Sequence, residues 1–329
     1  MISYQSFAST TQDKTALIDE LVTKLKDHYV LVEQLDVINN GLKDLAKSDA
    51  YNKAQSNAEI AKLITKRLQT FDKHFGLTLR ASSEVHKNNK PSENWFEQLS
   101  RKNYGFEQVK VLKGNIGYID FWGFALLNDQ SRQKVKHIMG YLDGIDALII
   151  DLRKNGGGSA EMVQLISSYF LSNKTHLNSF YSRATNKITE YWTFDNIVSP
   201  FTDDLPIYIL TSDYTFSAAE EFAYNFKQLK RATLIGESTK GGANPWGFVN
   251  VNKTFKAAIP NAKAINPITK TNWEGVGVQP DIAISNQAAF DKTYLIALEQ
   301  LFTSIKNPYQ KTEITKQIIE QKAKLKNKG

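Results

Sequence analysis

The chain contains no cysteine. That absence removes disulfide staples, thiolate zinc sites and cysteine nucleophiles together. No window approaches the roughly 18 unbroken apolar residues of a membrane-crossing helix, so no integral membrane span is expected. The opening M-I-S-Y-Q-S-F lacks the charged-then-apolar pattern of a signal peptide. No internal repeat of solenoid or propeller period is present, which favours one compact core. Histidine is scarce, with residues at 28, 74, 86, 137 and 176, so candidate bases of near-neutral pKa are few.

The formal net charge is +7, and lysines crowd the tail K-T-E-I-T-K-Q-I-I-E-Q-K-A-K-L-K-N-K-G. Their interleaving with Ile318, Ile319 and Leu325 reads as a solvated amphipathic helix, whose C-terminal end suits cations. No nucleic-acid-reading module accompanies the charge, and no nucleic-acid partner is expected.

With 329 residues and 41% hydrophobic content, the chain is long enough for one large core and a smaller satellite. Leu17, Leu21 and Leu25 recur at four-residue spacing, and Leu35, Ile38, Leu42 and Leu45 at threes and fours, so two amphipathic helices open it. Ser56 and Glu59 have capping-box spacing ahead of a third, with Ile60, Leu63, Ile64, Leu68 and Phe71 on one face. Residues 1–80 are therefore assigned to a small helical bundle. The polar S-S-E-V-H-K-N-N-K-P-S-E-N that follows has loop composition, and 81–99 is read as a linker. Beyond it, I-G-Y-I-D-F, A-L-I-I-D, P-I-Y-I-L and A-T-L-I-G-E alternate with helical patterns, which predicts an α/β core over 100–290 and a helical region over 291–329.

Three constellations carry chemistry. Asp151-Leu-Arg-Lys-Asn-Gly-Gly-Gly158 follows an apolar strand and precedes a helix that Ser159 can cap; its glycines let backbone amides approach an anion or oxyanion. The spacing is neither a dinucleotide fingerprint nor a phosphate loop, and a purely structural turn fits equally. In T-S-D-Y-T-F-S-A-A-E-E-F, Ser217 stands at the head of a helix, where free amides and the dipole favour developing negative charge, although an N-cap serine looks the same locally. In Trp273-Glu-Gly-Val-Gly-Val-Gln-Pro-Asp281, Glu274 is placed to orient an imidazole or is an exposed turn residue. His28 and His137 fall in helical patterns and His86 and His176 in polar segments, while His74 sits where the bundle gives way to a strand-like run. Lys240 is a rival base.

Taken in order, F-D-K-H-F-G-L, N-Y-G-F-E-Q-V-K-V-L-K-G-N-I-G-Y-I-D-F, D-L-R-K-N-G-G-G, T-S-D-Y-T-F-S-A-A-E-E-F, G-E-S-T-K-G-G-A and W-E-G-V-G-V-Q-P-D-I resemble the tail-specific, or C-terminal processing, serine protease superfamily. The likeness is to its branch with the interphotoreceptor retinoid-binding protein modules and tricorn protease. The resemblance implies that the nucleophile is Ser217, with Ser212 the weaker candidate. Aligning G-E-S-T-K-G-G-A with the lysine-dependent branch puts the family lysine at Gly242, so Lys240 is two residues out of register. The tricorn-like branch implies His74 as base and Glu274 as its orienting acid. It further implies a crotonase-like ββα core, with oxyanion amides from Ala218 and from Gly157 or its neighbour Gly156. About 25 residues separate T-L-R from N-Y-G-F, too few for a PDZ domain.

The expected partner is a peptide or unfolded protein, cleaved without metal or other cofactor. Alternatives are a non-catalytic carrier of apolar ligands such as retinoids or fatty acids, and an esterase using the same serine. The resemblance implies periplasmic or secreted residence with a processed signal. No motif bears on oligomeric state.

Overall fold

The computed structural model describes residues 11–80, 93–172 and 174–326. These fall into two units: residues 11–80 with Phe180–Thr189 and Asn244–Ile265 form the first, and Glu93–Ser179, Glu190–Ala243 and residues 266–326 form the second.

In the first unit, the leucine and isoleucine periodicities become the helices Thr11–His28, Leu35–Lys47 and Asn57–Leu68, with the short helix Asp49–Lys53 between the last two. Ser56 caps the third by accepting the Glu59 amide at 3.2 Å, and the Glu59 carboxylate returns to the Gln55 amide at 2.7 Å. Leu21, Ile38, Leu42, Ile64 and Leu68 are fully buried in one cluster that also includes Phe255, Ala257 and Ile259. Those last three belong to a strand far along the chain. Gly76–Leu79 pairs antiparallel with Phe255–Pro260, which pairs antiparallel with Trp246–Asn250. The helices thus bury their apolar stripe with the help of a sheet, two of whose three strands come from far along the chain.

The second unit is built on a six-stranded mixed sheet. Its order is Ile282–Ala283, Thr233–Gly236, Ile207–Thr211, Ala147–Asp151, Ile116–Phe121, Phe106–Leu112. All neighbours run parallel except the last two, which are antiparallel. Every residue of Ala147–Asp151 and Ile207–Thr211 is buried, as expected of parallel strands covered on both faces. On one face Ile149, Leu210 and Ile235 cluster with Ala297 and Leu298 of the helix Asn286–Ser304 and with Ile314 of Pro308–Lys326. The lysine-rich tail is the amphipathic helix expected, but its buried stripe is Ile314, Gln317 and Gln321, and Ile319 faces solvent at 64% exposure. Of the stretch read as linker, residues 81–92 lie outside the described residues, and Trp95–Arg101 is a helix closed by an Asn94–Glu97 capping box.

Parallel order has one consequence for function. The strands Ala147–Asp151 and Ile207–Thr211 are adjacent with Asp151 opposite Leu210, so the turns that leave their C-terminal ends, at 152–158 and 212–217, emerge side by side. Ligand sites in open α/β sheets form at such ends.

Leu42, with no exposed surface, anchors the first unit's core. Leu42→Ala is expected to cost about 3 kcal/mol through lost burial and the residual cavity, read from the urea midpoint; a loss under about 1 kcal/mol would contradict this packing.

Candidate active site

The glycine turn is held rigidly from below. Asp151 accepts Arg153 Nε at 2.9 Å and its Nη2 at 2.6 Å, and takes the Tyr118 hydroxyl at 2.8 Å. Asn155, fully buried, donates Nδ2 to the Phe121 carbonyl at 2.9 Å. Its Oδ1 accepts the Gly157 amide at 2.9 Å, while the Gly156 amide donates to the Trp122 carbonyl at 3.0 Å. Gly157 has φ +92°, and a Cβ there would stand 2.7 Å from the Phe216 carbonyl oxygen, 2.8 Å from Ser217 Cβ and 3.0 Å from the Ala218 nitrogen. Only glycine lets these two turns approach so closely.

Three hydrogen bonds clamp the serine turn onto the glycine turn. Ser212 Oγ donates to the Arg153 carbonyl at 2.6 Å, Thr215 Oγ1 to that of Leu152 at 2.8 Å, and the Phe216 amide to that of Asn155 at 3.1 Å. Ser212 is buried and also accepts the Tyr214 amide at 3.1 Å, so its hydroxyl is committed to the fold. Ser217, half-buried, follows at φ 56° and ψ −121°, a conformation a non-glycine residue occupies only under constraint. It heads the helix Ala218–Gln228. A strained serine on a strand-to-helix turn is the geometry that presents a hydroxyl outward for attack. The Ala218 amide, at the first helical position, has no intrahelical acceptor and points with the helix's positive end.

Behind Ser217 lies a carboxylate that sequence reasoning passed over. Glu220 accepts the Ser217 amide at 2.8 Å, the Gly241 amide at 2.6 Å, the Gly242 amide at 2.9 Å and the Thr239 hydroxyl. Burial pushes its pKa up to about 7, against the pull of those four donors. The rival base Lys240 is exposed, with Nζ 4.8 Å from the centre of the Phe216 ring, and the Gly242 amide donates into Glu220. Glu221, buried, is lifted to about 8 by desolvation and the nearby Glu161 charge. Glu274 sits in the turn after Trp273, where its Oε2 accepts the Ala243 amide at 2.6 Å.

His74 belongs to the first unit, between the helix Asn57–Leu68 and the strand Gly76–Leu79. Its ring is buried, with Nδ1 3.8 Å from Asp72 Oδ1. The same Asp72 oxygen accepts the His74 amide at 3.0 Å, and Oδ2 accepts Asn244 Nδ2 at 2.9 Å. Burial raises the Asp72 pKa, and these bonds, the Tyr29 hydroxyl and the Lys73 charge oppose it. His28 ends a helix and His137 lies within one, as their patterns indicate. His176, read from sequence as lying in a polar segment, is instead in the strand His176–Ser182, with its ring stacked 4.3 Å from Trp192. His86 lies outside the described residues.

The second unit thus brings Ser217, Ala218 and Gly157 together and anchors Glu274 on a neighbouring segment, while the first unit holds His74 with Asp72. Asn155, Glu220, Glu221 and Asp72 escaped sequence reasoning. Asp72 alone left a local signal, since an acid two residues before a histidine has the spacing of an Asx turn.

The sequence profile of peptidase family S41 matches residues 115–284. A carboxy-terminal-processing protease of Bartonella bacilliformis is 27% identical over 184 residues, which are 54% of this chain and 41% of that protein. The match spans less than half of that relative's length. A solved Parabacteroides merdae protein put forward as a peptidase shares the fold with a TM-score of 0.59 at 18% identity, over 83% of this chain and 90% of that one. The tricorn protease does so at 0.52 and 14% identity, over 94% of this chain and 37% of that one. Those two likenesses speak for the fold alone: mixed α/β around a central mixed sheet.

The positive φ of Ser217 stores about 1–3 kcal/mol of strain that glycine relieves and alanine does not. Ser217→Gly should therefore be more stable than Ser217→Ala by about 1 kcal/mol in urea denaturation, and equal stabilities would refute the strain. Glu221 binds its proton up to about pH 8 when folded, against an ordinary value of 4.5, so the native state holds more protons between those limits and stability falls as pH rises through them. Glu221→Gln removes that slope. Its stability relative to the parent should grow from pH 5 to pH 8 and level off above, and a constant difference across thermal melts would count against the shift.

Proposed function

This chain belongs to peptidase family S41, and from that premise we propose that it is a serine peptidase acting on peptides or unfolded proteins through Ser217. The observation that carries the reading is the constrained backbone of Ser217 at a helix head, against which only the bare backbone of Gly157 fits. A carrier of apolar ligands has no use for a serine held in that state.

In this reading His74 takes the Ser217 Oγ proton as the Oγ–carbon bond forms, and Glu274 holds the imidazole. The Ala218 amide and an amide of the glycine turn receive the oxyanion. Breaking the peptide C–N bond returns the proton from His74 to the leaving amine, and water then hydrolyses the acyl-enzyme by the same path reversed. Gly157 was expected as the turn's donor, but its amide already serves Asn155, as that of Gly156 serves Trp122. Gly158, the next residue, supplies the remaining amide of the run, and use of Gly157 requires Asn155 to release it. The core is taken to be crotonase-like, without a PDZ domain between the helices and the sheet. Periplasmic or secreted residence follows by analogy with the family.

Ser217→Ala should abolish both labelling by a fluorophosphonate and cleavage of unfolded casein while leaving the thermal midpoint within a few degrees. His74→Ala should slow both by at least about 10³-fold. Labelling that survives Ser217→Ala removes this serine from the mechanism, and retinol or fatty-acid binding without cleavage favours the carrier.

A further inference from the structure

Asp72 has no part in the mechanism above, yet its carboxyl group bonds the main chain of the base. Its carboxyl group is wholly removed from solvent and the His74 side chain is only 3% exposed. One oxygen does two things: it accepts the main-chain amide of His74 at 3.0 Å, closing an Asx turn, and it lies 3.8 Å from Nδ1 of the ring. The other accepts Asn244 Nδ2 at 2.9 Å, and the Tyr29 hydroxyl also bonds the group. The His74 amide and Asn244 Nδ2 both donate, which is the surrounding of an ionised carboxylate.

Resting on the serine-peptidase reading, we propose that Asp72 is a positioning residue for His74: it fixes the backbone that carries the imidazole and supplies the negative charge that the ring faces once it holds the Ser217 proton. At 3.8 Å the contact exceeds hydrogen-bond length, so the effect on the ring is that of a through-space charge. Out of water such an attraction is worth several times its value in solvent, because little screening intervenes. Ser217 loses a proton, His74 gains it and becomes an imidazolium, and the proton passes on to the leaving amine as the C–N bond breaks. Asp72 stays ionised throughout and exchanges nothing.

Among the described residues of the first unit, the charged and titratable groups around the Asp72 carboxyl are His74, Lys73 and Tyr29. Asp72→Asn keeps an oxygen for the Asx turn and removes the charge. The expected result is a fall of about 10²-fold in the rate of fluorophosphonate labelling, an unchanged KM for labelled casein, and an acid limb of the pH–rate profile moved to lower pH, since the imidazolium has lost its partner. A purely architectural Asp72 would change the folded fraction without moving that limb. Labelling at the parent rate with an unmoved limb overturns the proposal. Should Asp72→Asn fail to fold, Asp72→Ser keeps a turn acceptor without charge and gives the same readouts. Ser217→Ala and His74→Ala separate the two levels of failure. If either still labels and cleaves, the peptidase reading itself falls; if both are inert while Asp72→Asn labels at the parent rate with an unmoved acid limb, only the role of Asp72 falls.

Discussion

The close approach of two backbones, Gly157 against Phe216, Ser217 and Ala218, is the constraint on which the rest of the site depends. A single Cβ at position 157 would sit within 3.0 Å of three atoms of the serine turn. The approach is enforced by hydrogen bonds from Ser212, Thr215 and Phe216 to the carbonyls of Arg153, Leu152 and Asn155. These bonds can form only because two neighbouring parallel strands end at the same level. Sheet topology thus sets the spacing, glycine permits it, and the strained serine is its product. The strain persists because the surroundings over-determine the turn.

Buried carboxylates are the second theme, and each performs a different task. Asp151 anchors Arg153 below the glycine turn. Glu220 gathers four donors from the serine and from residues 239–242, so that one anion organises two loops. Such a group costs desolvation energy that its hydrogen bonds must repay, and the balance leaves its pKa near neutrality. Glu221, with less hydrogen bonding to oppose burial, is shifted further. Asp72 in the first unit follows the same rule beside a histidine.

Much of this architecture was legible in the residues themselves. Leucine and isoleucine spacing marked the helices of the first unit, the Ser56–Glu59 pair marked the start of one, and the apolar runs at 147–151 and 207–211 marked the central strands. Ser217 was marked as the head of a helix, and the helix does begin at Ala218. Other features left no such trace. The sequence near the first helices gives no hint that Asn244–Ile265 joins them, because antiparallel pairing with Gly76–Leu79 joins residues well over a hundred positions apart. His176 sits in a stretch of polar neighbours and yet lies in a strand, since stacking on Trp192 supplies burial that local composition does not record.

By itself the sequence determined which segments are helical, which are central strands, where the glycine turn falls, and that Ser217 stands at a helix head; these follow from periodicity and from residue types acting on their immediate neighbours. It left open whether that serine was a cap or a nucleophile. Tertiary structure alone decided its φ and ψ, the commitment of Ser212 to backbone carbonyls, the convergence of four donors on Glu220 and the burial of Asp72 against His74. Backbone strain and carboxylate solvation are properties of a surrounding shell, and that shell is assembled from residues that only folding brings together.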